Sequence, residues 1–306
     1  MEMSVPIAAV NGIEIAYETF GNGSRTVILL PGAGCQMLEW LDPFCEMIAE
    51  QDCTVHRVDT RDVGLSTHFD DICPNPGEEI QKLHNGEKIT PPYTYSDMVD
   101  DVVALIAEIA DGPVHVVGRS MGGMIGQRVA TLHPDIIASL SSVASTSGNP
   151  ELEVGDSKEV QEFFTLPAPV GREEQIKRAV DGDRLFSGTH FEFDEAADLK
   201  KRTDMRDRSD DSNGGMRHSL MFMTTDQVGE YAIHSANLRK LNLPVAVIHG
   251  SNDNLLNPAG AVDVAELIPN AKLTIVEGMS HELPSGAWPQ IVPAILEVVD
   301  QAQPRK

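Results

Sequence analysis

The chain has 306 residues, 41% of them hydrophobic, and carries a formal net charge of −24. This length suits one α/β domain with an insertion or two modest domains, and the apolar content is ample for a buried core. The excess of acidic residues repels phosphate backbones and anionic lipids, so nucleic acids and membrane surfaces are excluded as expected partners.

Short apolar runs alternate with helical patterns along the chain, which is typical of a largely parallel sheet covered on both faces. The predicted strands cover residues 13–19, 26–31, 54–58, 114–117, 137–143, 245–249 and 273–276. The clearest predicted helices cover residues 97–110, 121–132 and 286–299. The fold class is therefore predicted to be α/β.

About a hundred residues without strand rhythm separate the fifth predicted strand from the sixth, which is far too long for an ordinary loop. We therefore expect an α/β core made of residues 1–148 and 241–306, with residues 149–240 inserted as a helical lid. A second long loop, residues 69–93, could form a wall of the same pocket or lie on the surface.

The lid is rich in methionine and aromatic side chains, which adapt to apolar ligands. The candidate substrate-binding residues of the lid are Phe163, Phe186, Met216 and Phe222. The alternative is that these side chains only pack the lid helices against one another.

A lone serine stands between a predicted strand and a predicted helix, in the segment VHVVGRSMGGMIGQ that covers residues 114–127. A tight turn at this point would lift the Ser120 hydroxyl above the sheet and place it at a helix N-terminus. Gly118, Gly122 and Gly123 would allow the turn to approach its neighbours closely. The alternative is a plain Gly-Ser turn without chemistry.

A serine nucleophile needs a base and a carboxylate, and in this arrangement they follow along the chain in the order Ser, Asp, His. Asp253 follows the strand VAVIHG, and His281 follows the strand KLTIVEG. Taken singly, Asp253 could cap a turn and His281 could be a surface histidine. The order and the strand-end positions together predict a Ser120–His281–Asp253 triad.

Acyl transfer also needs amide groups that stabilise an oxyanion. The amide of Met121, directly after the serine, is one candidate. The other is the amide of Ala33, in the turn after VILLP, with Gly32 allowing the chain to turn and border the substrate.

Five segments carry a resemblance to a known family: LLPGAG, RVDTRDVGLS, VVGRSMGGMIGQ, GSNDNLL and VEGMSHELP. In this order and spacing they resemble the α/β-hydrolase superfamily, and the stretch at residues 187–194 is similar to the esterases around aclacinomycin methylesterase, which demethylate a polyketide ester. The chain departs from many relatives in having Pro31 where they have His, and Arg119 where they have His before the nucleophile. The turn Arg61-Asp62 is interpreted as a buried, hydrogen-bonded scaffold pair.

The resemblance and the candidate residues imply a serine carboxylic ester hydrolase that acts through an acyl-enzyme on small to medium apolar esters, methyl esters included. The same triad could serve a C–C bond hydrolase, a lactonase or a perhydrolase. A protein of another class, a small-molecule receptor on the same fold, also stays open.

The remaining expectations concern cofactors, partners and location. The sequence has neither clustered metal ligands nor a dinucleotide fingerprint, so no metal and no organic cofactor are expected. The four cysteines have no C-x-x-C spacing and are interpreted as reduced and structural. Without a signal or an 18-residue apolar run, the chain is expected to be a cytoplasmic monomer or homodimer that binds a small-molecule ester.

Overall fold

The strands of the chain form one mostly parallel sheet in a computed structural model, which describes residues 5–152, 155, 157–167, 169–209 and 213–302. The strands of these residues are β1 (Ile7–Val10), β2 (Ile13–Phe20), β3 (Arg25–Leu30), β4 (Cys53–Val58), β5 (Val114–Arg119), β6 (Ile137–Val143), β7 (Val245–Gly250) and β8 (Lys272–Val276). Their order in the sheet is β1-β2-β4-β3-β5-β6-β7-β8. β2 runs antiparallel to both of its neighbours, and the other pairs are parallel. The predicted α/β class is confirmed.

Helices cover both faces of the sheet and fill the long insertion. The helices of the core are α1 (Asp42–Ala49), α2 (Pro76–His84), α3 (Tyr95–Ile109), α4 (Met121–Leu132), α10 (Ala259–Leu267) and α11 (Trp288–Gln301). Those between β6 and β7 are α5 (Lys158–Thr165), α6 (Gly171–Ser187), α7 (Glu195–Arg208), α8 (Gly214–Thr224) and α9 (Gln227–Leu238). Among the helices of the described ranges, none is long and apolar enough to cross a membrane.

The central strands are apolar along their whole length because both of their faces are buried. All six residues of β5 and all six of β7 are buried. On one face the core consists of side chains from the sheet, α3, α4 and α10, and on the other of side chains from the sheet, α1 and α11. This double cover fixes the carboxyl ends of the strands, where the predicted site residues lie.

Two features of the core differ from the sequence expectations. Strand β1 was not predicted, although Asn11 and Gly12, at φ 49° and 78°, form the tight turn that pairs it with β2. Two residues at positive φ are what an Asn-Gly hairpin requires, so the dipeptide was the missed signal. Helix α3 begins at Tyr95, two residues before the predicted start, because Thr94 and Asp97 form a capping box there.

The turn at Arg61 and Asp62 is buried as expected, but the two side chains do not pair with each other. Arg61 Nε donates to Asp101 Oδ2 at 2.6 Å, whereas Asp62 accepts from Arg217. Asp62 has φ 76°, and this turn of the backbone gives the two neighbouring side chains different partners. The predicted scaffold pair is thus corrected to two ion pairs, one to α3 and one to α8.

Helix α8 is held to the core by a buried ion pair. Arg217 Nε and Nη2 each lie 2.6 Å from an oxygen of Asp62, and both side chains are 0% exposed. Tyr93 donates a further hydrogen bond to Asp62 at 2.7 Å. Arg217 also contacts Asp70 at 2.9 Å, so it is the removal of Arg217 that leaves a desolvated charge, the Asp62 carboxylate, without its cation.

We predict that Arg217→Met lowers the free energy of unfolding by about 3–5 kcal/mol, because the Asp62 carboxylate then stays buried without a cation. The matched control is Arg172→Met, which breaks the exposed ion pair with Asp207 at 2.6 Å and should cost about 0–1 kcal/mol. Urea unfolding of both variants measures the difference. Equal losses in the two variants would contradict a structural role of the buried pair.

Candidate active site

Ser120 occupies a strained turn between β5 and α4. Its backbone has φ 52° and ψ −119°, a conformation that non-glycine residues rarely adopt. Two hydrogen bonds brace the turn: the Ser120 amide donates to Val143 O at 2.9 Å, and the Ser145 hydroxyl donates to Ser120 O at 2.8 Å. The turn therefore presents the serine side chain at the carboxyl edge of the sheet.

The glycines around the serine are required by close approaches of the backbone. A Cβ atom on Gly118 would lie 2.2 Å from Gly122 O, and one on Gly122 would lie 2.3 Å from Leu30 O. Contacts this short do not occur between real atoms, so larger residues at these positions would displace α4 or β3. The close approaches explain why the sequence has glycine on both sides of Ser120.

Ser120, His281 and Asp253 form a continuous chain of hydrogen bonds. His281 Nδ1 lies 2.8 Å from Asp253 Oδ2, and its Nε2 lies 3.2 Å from Ser120 Oγ. A carboxylate only accepts, so Nδ1 carries the proton, and the lone pair of Nε2 faces the serine hydroxyl. The geometry thus joins a hydroxyl, an imidazole base and a carboxylate that are far apart in the sequence.

A second histidine contacts the same carboxylate. His249 Nε2 lies 3.1 Å from Asp253 Oδ2 and 3.0 Å from Leu256 O. The other oxygen of Asp253 accepts from the amides of Leu255 and Leu256 at 2.9 and 2.8 Å. Burial alone would raise the pKa of Asp253, but the interactions of His281 and His249 with the carboxylate hold the pKa well below its usual range. Asp253 is therefore ionised at neutral pH.

The two candidate oxyanion amides border the same cavity as Ser120. Met121 is the first residue of α4, so its amide has no acceptor within the helix. The amides on either side of Ala33 are engaged: Gly32 donates to Glu39 Oε2 at 2.8 Å, and Gly34 donates to His218 Nδ1 at 2.9 Å. Within the described part of the chain, the Ala33 amide has no acceptor of its own.

His218, on α8, links the helical insertion to this loop. Because its Nδ1 accepts from Gly34, its Nε2 carries the proton and donates to Arg61 O at 3.1 Å. The side chain is 0% exposed, and burial lowers the pKa of His218 to about 4. The neutral tautomer is required, since a protonated Nδ1 could not accept from the Gly34 amide.

Arg119 joins three separate segments behind the serine. Its guanidinium forms ion pairs with Glu39 and with Glu282, the latter at 2.6 Å, and it donates to His281 O at 3.1 Å. Glu39 in turn accepts from the Gly32 amide. One buried cation therefore connects the nucleophile, the loop of the base and the loop of Ala33.

The predicted substrate-binding residues all border one cavity of about 1430 Å³ that also exposes Ser120 and His281. They are Gly32, Phe163, Phe186, Met216 and Phe222. Phe186 stands edge-on to the His281 ring, with 6.3 Å between centroids. Residues 69–93 do not border this cavity; their helix α2 packs behind α8 instead.

In the part of the chain that the structure describes, no group of three or more His, Cys, Asp or Glu side chains is arranged to hold a metal ion. The four cysteines are free thiols. Burial raises the pKa of Cys45 to about 12, so this thiol stays protonated and unreactive at neutral pH.

The fold and this arrangement define an α/β-hydrolase. The family model described as "alpha/beta hydrolase fold" matches residues 25–284, and the chain belongs to this family. It is similar to two rhodomycin D methylesterases. DauP from a Streptomyces sp. is 24% identical, with 88% of this chain and 89% of DauP aligned. DnrP from Streptomyces peucetius is 24% identical, with 95% of this chain and 97% of DnrP aligned.

Among solved structures, the enol-lactonase from Burkholderia xenovorans LB400 superposes with a TM-score of 0.67 and 22% identity. The match covers 96% of this chain and 98% of the enol-lactonase. At this identity the superposition shows a shared fold.

Three residues that support the site had no role predicted from the sequence: Arg119, His218 and His249. The position of Arg119 directly before the serine was a signal, because a cation there must find anions on neighbouring loops. His249 precedes Asp253 by four residues at a strand end, where a side chain can reach the carboxylate. His218 gave no local signal, because its partner Gly34 is 184 residues away.

We predict that stability falls as pH decreases from about 6.5 toward 4. Burial lowers the pKa of His115 and His218 to about 4 and that of His234 to about 3. In the unfolded chain these histidines bind protons near pH 6.5, before the folded protein does. Between the two pKa values, each histidine therefore lowers the free energy of unfolding by up to about 1.4 kcal/mol per pH unit of acidification.

Urea unfolding between pH 4 and 7 measures this slope in the wild type and in His218→Gln. In His218→Gln, the slope of the unfolding free energy against pH should be smaller than in the wild type by the contribution of one histidine. His84→Gln, at an exposed position on α2, controls for the substitution itself. An unchanged slope in His218→Gln would contradict a neutral His218 in the folded protein.

Proposed function

We propose that the protein is a serine carboxylic ester hydrolase that acts through a Ser120–His281–Asp253 triad and a covalent acyl-enzyme. The observation that carries this proposal is the hydrogen-bonded chain from Ser120 Oγ through His281 to Asp253. Membership of the α/β-hydrolase family and similarity to methylesterases support it.

In the first half of the reaction, His281 Nε2 takes the hydroxyl proton while Ser120 Oγ attacks the ester carbonyl carbon. Asp253 holds the imidazole in the correct tautomer and stabilises its positive charge. The carbonyl oxygen becomes an oxyanion, which the amides of Ala33 and Met121 stabilise. The intermediate collapses as His281 gives its proton to the departing alcohol.

In the second half, His281 removes a proton from water as the water attacks the acyl-enzyme. The second tetrahedral intermediate collapses, Ser120 regains its proton, and the carboxylic acid leaves. The same two amides stabilise both intermediates, because the oxyanion forms at the same place each time.

The substrate class follows from the cavity and from the relatives. Phe163, Phe186, Met216 and Phe222 give the cavity an apolar wall that suits small to medium apolar acyl groups. The two similar methylesterases support methyl esters as substrates. No cofactor takes part in the proposed reaction.

Ser120→Ala should lower kcat/KM for p-nitrophenyl butyrate and for methyl esters by at least about a thousandfold, because no acyl-enzyme can form. The fold should be retained, since alanine removes only the hydroxyl. The measurement is steady-state release of p-nitrophenol or methanol at neutral pH, with unfolding in urea as the check on folding. Ser24→Ala, which removes an exposed hydroxyl remote from the site, is the matched control.

A Ser120→Ala variant that retains half of the activity would refute the triad. A wild type that hydrolyses no ester would direct attention to C–C bond hydrolysis or to a receptor function.

We assign Arg119 as a positioning residue of this reaction. Arg119→Lys keeps the charge but loses the planar fork that contacts Glu39, Glu282 and His281 O together. We expect kcat to fall about tenfold to a hundredfold with KM nearly unchanged, since the groups that act in the transition state lose their alignment. A merely structural role would lower the urea midpoint and leave kcat per folded molecule unchanged.

A further inference from the structure

One face of α4 runs from the nucleophile along the floor of the cavity. Met121, Met124 and Arg128 are spaced by three and four residues, so they lie on the same side of the helix, and all three border the cavity. The floor is therefore apolar next to Ser120 and ends in a cation.

Arg128 has few partners for a side chain that is only 11% exposed. Its Nη1 donates to Met124 O at 3.3 Å, within its own helix. Its guanidinium lies 4.1 Å from the centroid of the Tyr95 ring. The nearest carboxylate is that of Glu230, whose Oε2 lies 4.0 Å from Nη2 and whose side chain is 46% exposed.

Two other arginines that border the cavity, Arg119 and Arg202, are better neutralised. Arg119 lies 2.6 Å from Glu282, and Arg202 Nε donates to Asp183 at 2.6 Å. Glu230 borders the same cavity and is half-exposed, and its carboxylate lies beyond hydrogen-bond distance from Arg128. Arg128 therefore borders the cavity with no described carboxylate at hydrogen-bond distance.

A largely buried guanidinium with no hydrogen-bonded anion favours a carboxylate as its ligand. Burial lowers the pKa of Arg128, but arginine remains protonated in proteins. Its planar fork matches the two oxygens of a carboxylate, and such bonds are stronger in a desolvated cavity than in water. The whole chain carries a formal net charge of −24 and repels anions, so a cation at the cavity is needed to retain one.

The helix fixes the distance of this cation from the reacting atom. Arg128 is eight residues beyond Ser120, and its side chain reaches back one turn to the carbonyl of Met124. One to two turns of helix correspond to roughly 6–12 Å between the serine and the guanidinium.

We propose that the substrate carries, besides its ester, a free carboxylate that binds Arg128 at roughly 6–12 Å from the scissile carbonyl. The inference rests on the proposed esterase function and narrows its substrate class to half-esters of apolar dicarboxylic acids and molecules of the same pattern. The apolar floor formed by Met121 and Met124 contacts the part of the substrate between the two groups.

The experiment compares monomethyl suberate with methyl octanoate, which has the same chain length and no charge. The wild type should prefer the half-ester. Arg128→Gln should lower kcat/KM for the half-ester about tenfold to a hundredfold and leave that for methyl octanoate within about twofold, because only the charged contact is lost. Arg172→Gln, the same change of charge on the outer surface of α6, should keep the wild-type ratio.

Arg128→Lys is the second variant, and it should keep most of the preference because it keeps the charge. A variant that merely misfolds would lose activity on both esters equally. A wild type that prefers methyl octanoate, or an Arg128→Gln variant with the wild-type ratio, would overturn the inference.

Binding to Ser120→Ala separates this inference from the proposed function. Calorimetry should show that monomethyl suberate binds at least about tenfold more tightly than methyl octanoate, and that adding Arg128→Gln removes the difference. Equal binding would refute the carboxylate site even if both esters are hydrolysed. A clear difference in binding without any hydrolysis by the wild type would refute the esterase function alone.

Discussion

The backbone of Ser120, held at φ 52°, is the constraint on which the rest of the site depends. This conformation costs of the order of 1–3 kcal/mol and persists only where the surroundings enforce it. Here the fully buried strand β5, the close approach of Gly122 to Leu30 O and the hydrogen bonds to Val143 and Ser145 enforce it. The hydrophobic core thus maintains a local strain that places the hydroxyl next to His281.

Buried charges then align segments that the core alone would leave independent. Arg119 ties the loops of Glu39 and Glu282 to the strand of the nucleophile, and Asp253 is held by two histidines and two amides. Each charge here has partners, as buried charges must. Arg128 has weaker partners, the Tyr95 ring, Met124 O and Glu230 at 4.0 Å, and this difference motivates the proposed ligand.

Strands, helices and the turn at Ser120 could be predicted because local patterns encode them. The partners of buried charged side chains could not, because they lie far away in the sequence. Continuous apolar runs predicted seven strands, and the glycines next to Ser120 predicted the tight turn. By contrast, Arg61 and Asp62 found partners on α3 and α8 rather than in each other, and Arg119 bonds to a carbonyl 162 residues away. Such pairings depend on how loops meet in space, which periodicity and turn chemistry do not contain.

The attachment of α8 has a consequence for how this enzyme could diversify. Arg217 and His218 bind it to the core and to the loop of Ala33, so substitutions on α8 would alter catalysis and stability together. Phe163, on α5, borders the cavity without such ties, whereas Phe186, on α6, contacts the His281 ring and accepts from the Glu282 amide. New substrate preferences are therefore most accessible to evolution, and to engineering, through α5, where the residues that recognise the substrate can change without altering the catalytic residues.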